Sequence, residues 1–247
     1  MKRIGLIGCG AIGTLICAAV ENGIVECDEL ILYDYNLEKA VKLQKSLSTP
    51  VKVVRSADEM IRLRPAVVVE AASQQAAKDY VPRILAENIE LIVMSVGALL
   101  DLDIKNNRVH IPSGAIGGLD AISSVALAGI DEVILTTRKG PASLDMNNRE
   151  EKLVYEGNAR EAVRLFPREM NIAATLALTV QPLEVKVKVV SDPKVKRNVH
   201  EINVVWKQGE MFLRFANDPH PDNPRTSALA AWSAIKLLKE LLERRRD

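Results

Sequence analysis

The chain has 247 residues, enough for one large domain or two of moderate size. Apolar residues make up 48% and charged residues 26%, and the formal charge is only +1, so the composition carries no electrostatic footprint for nucleic acid or an anionic membrane. No apolar run approaches the length of a membrane span, no leader-like apolar stretch precedes the first strand, and Cys9, Cys17 and Cys27 lack both disulfide parity and metal-ligand spacing; the expectation is a cytoplasmic protein with buried thiols and no metal.

The first hundred residues alternate strand and helix. Strands are expected at Lys2 to Ile7, Glu29 to Tyr33, Val51 to Val54, Ala66 to Glu70 and Leu91 to Ser95. Helices are expected at Ala11 to Asn22, Leu37 to Lys45, Ala57 to Leu63 and Gln75 to Glu87. Short, continuously apolar strands between amphipathic helices predict a parallel sheet covered on both faces. The turn after the first strand reads Gly8-Cys9-Gly10-Ala11-Ile12-Gly13, and Asp34 follows at the end of the second strand, roughly 20 residues on. This is the dinucleotide-binding fingerprint of a Rossmann domain. Gly8 allows the tight turn, Gly10 lets a pyrophosphate approach the backbone, and Gly13 lets the helix pack on the sheet. Ala11 and Ile12 open the helix whose N–H groups face the phosphates. Asp34 suits the ribose hydroxyls and repels a 2′-phosphate, which favours NAD while leaving NADP possible.

Further along, Ala71-Ala72-Ser73 and Ser95-Val96-Gly97 follow the fourth and fifth strands, where small residues leave room for a nicotinamide ribose; helix capping is the alternative role of Ser73 and Ser95. The next apolar segment, Val109 to Pro112, comes so soon that either this crossover lacks a full helix or residues are missing from it. Ser113-Gly114-Ala115-Ile116-Gly117-Gly118 is a second glycine-rich turn, read as a ligand contact or a hinge.

After Pro112 the pattern changes. Strands are expected at residues 131–137, 153–156, 183–190, 199–206 and 211–215, with helices at Gly118 to Ala128, Ala159 to Phe166, Asn171 to Leu178 and Ser227 to Arg245. The run Val-Lys-Val-Lys-Val predicts an antiparallel sheet with one wet face. Residues 140–151 read as a surface loop or lid. The layout is thus an N-terminal Rossmann domain, residues 1–112 plus 216–247, with an α+β domain inserted at 113–215. Of the three histidines, His110 reads as structural, His220 as exposed, and His200 as an exposed strand residue or a catalytic one. Arg138 and Lys139, at a strand end, could hold a substrate carboxylate or be merely solvated.

Several segments together resemble the L-aspartate dehydrogenase family: the glycine turn, Glu70-Ala71-Ala72-Ser73-Gln74, Ser113 to Ala121, Thr136-Thr137-Arg138-Lys139, Phe166-Pro167 with Asn171 to Thr175, Asn198-Val199-His200-Glu201-Ile202, and Asn223 to Ser227. The resemblance implies NAD(P)-dependent oxidation of L-aspartate to iminosuccinate, which hydrolyses to oxaloacetate and ammonia or feeds quinolinate synthase in NAD biosynthesis. It implies that His200 is catalytic and that Ala115 and Asn171 lie near the nicotinamide. Glu169 departs from the family, many members having Asn there. On this reading His200 takes the amine proton, Asn198 or Glu201 orients its ring, and Arg138, Lys139, Thr226 and Ser227 are candidates for the two substrate carboxylates. A homodimer through the open sheet of the second domain is expected. The rivals are another Rossmann reductase of a small dicarboxylate or imine, and a non-catalytic NAD sensor.

Overall fold

The computed structural model of the chain describes residues 2–102, 104, 106–220 and 223–244, without the side chains of residues 220 and 223–226. It divides into two compact units, Met1–Pro112 with Ala231–Asp247, and Ser113–Ala230.

In the first unit, β1 (Arg3–Ile7), β2 (Glu29–Tyr33), β3 (Val51–Val53), β4 (Val67–Glu70), β5 (Glu90–Val93) and β6 (Val109–His110) form one sheet in the order β3-β2-β1-β4-β5-β6. Every pairing in it is parallel. The central strands are buried on both faces, β4 along its whole length, as the apolar run Val67-Val68-Val69 requires. Helices α1 (Ala11–Glu21), α2 (Leu37–Gln44), α3 (Ala57–Arg62) and α4 (Gln74–Ala86) make the crossovers. Three of them start on side-chain caps: Asn36 accepts from Glu38 N, Ser56 from Glu59 N and Ser73 from Ala76 N. Between β5 and β6 the chain makes a 3-10 turn (Val96–Ala98) and the four-residue α5 (Leu99–Leu102) in place of a full helix. His110 is anchored there, its Nε2 2.7 Å from Glu90 Oε2.

The second unit contains α6 (Leu119–Ala128), β7 (Ile130–Lys139), β8 (Lys152–Asn158), α7 (Ala159–Leu165), α8 (Asn171–Thr179), β9 (Lys186–Ser191), β10 (Asn198–Trp206) and β11 (Gly209–Asn217). Its five-stranded sheet has the order β11-β10-β7-β9-β8. The expected antiparallel pattern holds except at one pair: β9 runs parallel to β7, because the chain returns through α7 and α8 and enters the sheet in the same direction. The alternation of sides is as read, with Val187 and Val189 buried and Lys186 and Lys188 paired with Glu132 and Glu156 on the other face. Helix α6 packs on β10, α7 on β9, and α8 on both helices.

A two-stranded hairpin, β12 (Pro219–His220) with β13 (Asn223–Ser227), leads into α9 (Ala228–Glu243). The expected boundary at residue 216 therefore shifts to Ala230. Strand β11 stays in register with β10 through Asn217, and β13 lies beside the 3-10 turn Pro141–Leu144 of the same unit. The rest of α9 belongs to the first unit, where Ala231, Ala234, Ile235, Leu238 and Leu242 are buried.

Candidate active site

The first unit presents a cradle after β1. Gly8 has φ +99° and donates its N–H to Tyr33 O at 2.8 Å; a Cβ there would meet Ala71 O at 2.5 Å. A Cβ on Gly13 would lie 2.2 Å from Gly8 O. Above Gly10 a Cβ would meet nothing within 4 Å, and the start of α1 has no side-chain cap. The open space at Gly10 and the N–H groups from Ala11, Ile12 and Gly13 onward fit a pyrophosphate. Asp34 reaches back to this turn: its Oδ2 accepts from Cys9 N at 2.8 Å and its Oδ1 from Asn36 N at 2.8 Å. The acid expected to meet the ribose thus also holds the glycine turn in shape. Cys9 is buried, and that burial pushes its thiol up to about 12, so it stays protonated.

The turns after β4 and β5 are joined by a residue that was singled out only as part of a motif. Glu70 is fully buried. Its Oε1 accepts from Ala72 N at 2.9 Å, Ser73 N at 3.1 Å and Ser95 Oγ at 2.9 Å, and its Oε2 accepts from Ser95 N at 3.0 Å. Burial raises its pKa, opposed by these four hydrogen bonds. Of the two serines, Ser73 does cap α4, and Ser95 serves Glu70 instead.

In the second unit His200 lies on β10, opposite Thr137 of β7 and Phe215 of β11. It is 3% exposed, not an exposed strand residue. Its Nδ1 is 3.2 Å from Thr137 Oγ1. Desolvation, with a smaller contribution from the Lys139 charge, lowers its pKa to about 3, so the ring is neutral near pH 7. Thr137, rather than Asn198 or Glu201, is the ring's hydrogen-bond partner. Glu201 lies on the opposite face, paired with Arg214, while Asn198 is buried on the side of His200.

The same alternation separates Arg138 from Lys139. Lys139 is 2% exposed and shares the His200 face. Arg138 points to the other face, where it pairs with Glu151 at 2.6 Å and Asp192 at 3.1 Å. The two adjacent cations thus point to opposite faces of the sheet and do not meet one carboxylate together. Two contacts tie the 140–151 segment to the sheet: Asn148 exchanges hydrogen bonds with Ser191, and Glu151 holds Arg138.

The second glycine turn sits beside this polar end of the sheet. Ala115 O accepts from Asn217 Nδ2 at 3.0 Å, a Cβ on Gly117 would lie 3.4 Å from Phe215 Cε1, and one on Gly114 would lie 3.7 Å from Ile172 Cγ2. Ala115 therefore lies beside β11, the strand that pairs with β10 at His200, and Gly114 lies beside Ile172 in the first turn of α8. Ser227, ahead of α9, is 3% exposed, and its Oγ lacks a partner among the described residues. The side chains of Thr226 and His220 lie outside the described residues. The described residues hold no cluster of His, Cys, Asp and Glu fit for a metal.

Comparison with known proteins assigns both units. Residues 120–241 match the family described as "Aspartate dehydrogenase, C-terminal", and residues 8–109 match "Homoserine dehydrogenase, NAD binding domain". The L-aspartate dehydrogenase of Methanosarcina mazei is 40% identical over 265 aligned residues, covering 98% of this chain and 97% of the relative. The chain belongs to the L-aspartate dehydrogenase family. The L-aspartate dehydrogenase of Methanothermobacter thermautotrophicus is also 40% identical, again over 98% and 97% of the two chains. Among solved structures, the aspartate dehydrogenase of Thermotoga maritima superposes with a TM-score of 0.73 at 28% identity, covering 98% of this chain and 97% of that one. A myo-inositol dehydrogenase from Corynebacterium glutamicum, with a TM-score of 0.59 at 14% identity, shares the fold. In this family frame the Rossmann unit is the NAD(P)-binding half.

Proposed function

We propose that the chain is an NAD(P)-dependent L-aspartate dehydrogenase, with His200 as its acid–base catalyst. The observation that carries this is a buried, neutral imidazole held at Nδ1 by Thr137 beside the buried Lys139. A bound nicotinamide supplies the carbon that accepts the hydride from Cα of aspartate. His200 accepts the amine proton that would otherwise block formation of the imine and passes it on to solvent; neutral again, the ring can take a proton from the water that attacks iminosuccinate, giving oxaloacetate and ammonia. Thr137 fixes the ring through Nδ1, which leaves Nε2 for the substrate. Lys139 and the Ser227 hydroxyl, a buried polar atom without a partner among the described residues, bind substrate carboxylates; the ion pairs of Arg138 argue against it as a third contact.

Gly8, Gly10, Ala11, Ile12 and Gly13 cradle the cofactor pyrophosphate, Asp34 the adenosine ribose, and Ala72, Ser73, Ala115 and Asn171 the nicotinamide end. The Asp34 carboxylate supports NAD over NADP, since a 2′-phosphate would meet an anion. No helix among the described residues is long and apolar enough to cross a membrane. Supply of iminosuccinate to quinolinate synthase is the role that fits this product.

The test is NADH formation on mixing the protein with NAD and L-aspartate, with D-aspartate, L-glutamate and L-malate as controls, and NADP replacing NAD in a parallel series. L-Aspartate alone should give signal. His200→Ala should lower kcat by about 100-fold to 10,000-fold while NAD still binds. Undiminished turnover in that variant would remove His200 from the mechanism, and NAD binding without turnover in the wild type would favour a sensor.

A further inference from the structure

Glu70 takes no part in the chemistry above, yet it is a carboxylate in a fully buried position. Burying such a group is costly unless its lone pairs are satisfied. Here they are satisfied by donors from two separate turns, residues 72–73 after β4 and residue 95 after β5. A carboxylate is an acceptor at both oxygens, and it matches four converging donors as no other side chain of its length does. Glutamine would turn an NH2 group toward one of the N–H donors. An apolar residue would leave the two Ser95 donors buried and unpaired and would take the acceptor from the Ala72 and Ser73 N–H groups.

The position matters as much as the bonding. Glu70 ends β4, in register with Ile7 of β1 on one side and Val93 of β5 on the other. In the order β3-β2-β1-β4-β5-β6 the direction of winding reverses between β1 and β4, and a ligand of such a sheet lies outside the strand ends at that reversal. The adenosine end of a dinucleotide then falls on the β2 side, at Asp34. The nicotinamide end falls over the turns after β4 and β5. Glu70 is buried beneath both turns and sets their spacing without reaching the surface.

We propose that Glu70 is a positioning residue for the nicotinamide half of the cofactor, clamping the 71–73 and 95–97 turns into one floor. The proposal depends on the dehydrogenase reading for its ligand, but its test needs neither substrate nor His200. Calorimetric titration of NAD and of ADP-ribose, which lacks the nicotinamide, compares wild type with Glu70→Gln and Ser95→Ala. Glu70→Gln should weaken NAD by about tenfold and ADP-ribose by less than about twofold, one buried donor being left unpaired. Ser95→Ala, which removes only the Oγ bond, should weaken NAD by about threefold with ADP-ribose unchanged, and it carries the test alone if Glu70→Gln does not fold. Equal weakening of both ligands, or of neither, would mean that Glu70 is a structural residue only and would overturn the proposal. A wild type that binds neither NAD nor NADP would overturn the dehydrogenase reading and this one with it.

Discussion

At the scale of single residues, the depressed pKa of His200 links catalysis to stability. The unfolded chain binds a proton at this histidine below about pH 6.5, whereas the folded chain does so only near 3. Its contribution is therefore fully present above pH 6.5 and is lost as the pH falls toward 3, at about 1.4 kcal/mol per pH unit. Thermal unfolding from pH 7 to pH 4 should show a steeper loss of Tm in the wild type than in His200→Gln, which has no proton to gain; parallel curves would mean that the ring is not neutral in the fold. The Nδ1 bond gives a second expectation. Thr137→Val keeps shape and removes the hydroxyl, so kcat should fall by about tenfold with the KM for NAD unchanged. His200 itself was legible in the sequence through the Asn-x-His-Glu-Ile motif. Its partner was not, because Thr137 meets it across a strand pairing whose register lies 63 positions apart in the chain. Strict alternation along one strand would have separated Arg138 from Lys139, and Asn198 from Glu201, before any coordinates.

At the scale of elements, the glycine turn distinguishes two kinds of glycine. Gly8→Ala puts a side chain into a positive-φ position against Ala71 O and should cost at least about 1 kcal/mol of stability, seen as a lower Tm. Gly10→Ala meets open space at φ −86°, so its Tm should hold while NAD affinity falls by tenfold or more. A Gly10→Ala protein that binds NAD normally would remove the pyrophosphate from that position. Most strands and helices could be read from periodicity, since their apolar faces match the pleat or the helical turn. The parallel partnership of β9 could not, because a run such as Val187-Lys188-Val189 fixes which side is buried but not the direction of the neighbour. The shortage of residues between β5 and β6 was readable, as a crossover without a full helix or one from which residues are missing, and the described residues there form a 3-10 turn and four helical residues.

At the scale of the molecule, the sheet of the second unit has one face under α6 and α7, with α8 packed on those helices, and another carrying ion pairs around apolar side chains. On that other face Phe212 of β11 is 60% exposed, near Val205 of the adjoining β10, and Leu153 of β8, at the opposite edge of the sheet, is 52% exposed. We propose that two copies of the chain associate through it, which would hide these side chains. Light scattering should give the mass of a dimer for the wild type and of a monomer for Phe212→Glu; a monomeric wild type would end the idea.

The split of the first unit between Met1–Pro112 and Ala231–Asp247 has a consequence for how the protein is made. A ribosome adds 5 to 20 residues each second, so the glycine cradle emerges on the order of ten seconds before the helix that completes its own unit. The inserted unit, by contrast, is one continuous stretch and can close on itself as soon as it emerges. The part of the chain synthesised first is thus the last to be finished, and during that interval the apolar surface later covered by Ala231, Ala234, Ile235, Leu238 and Leu242 stands open to any chaperone that reads such surfaces.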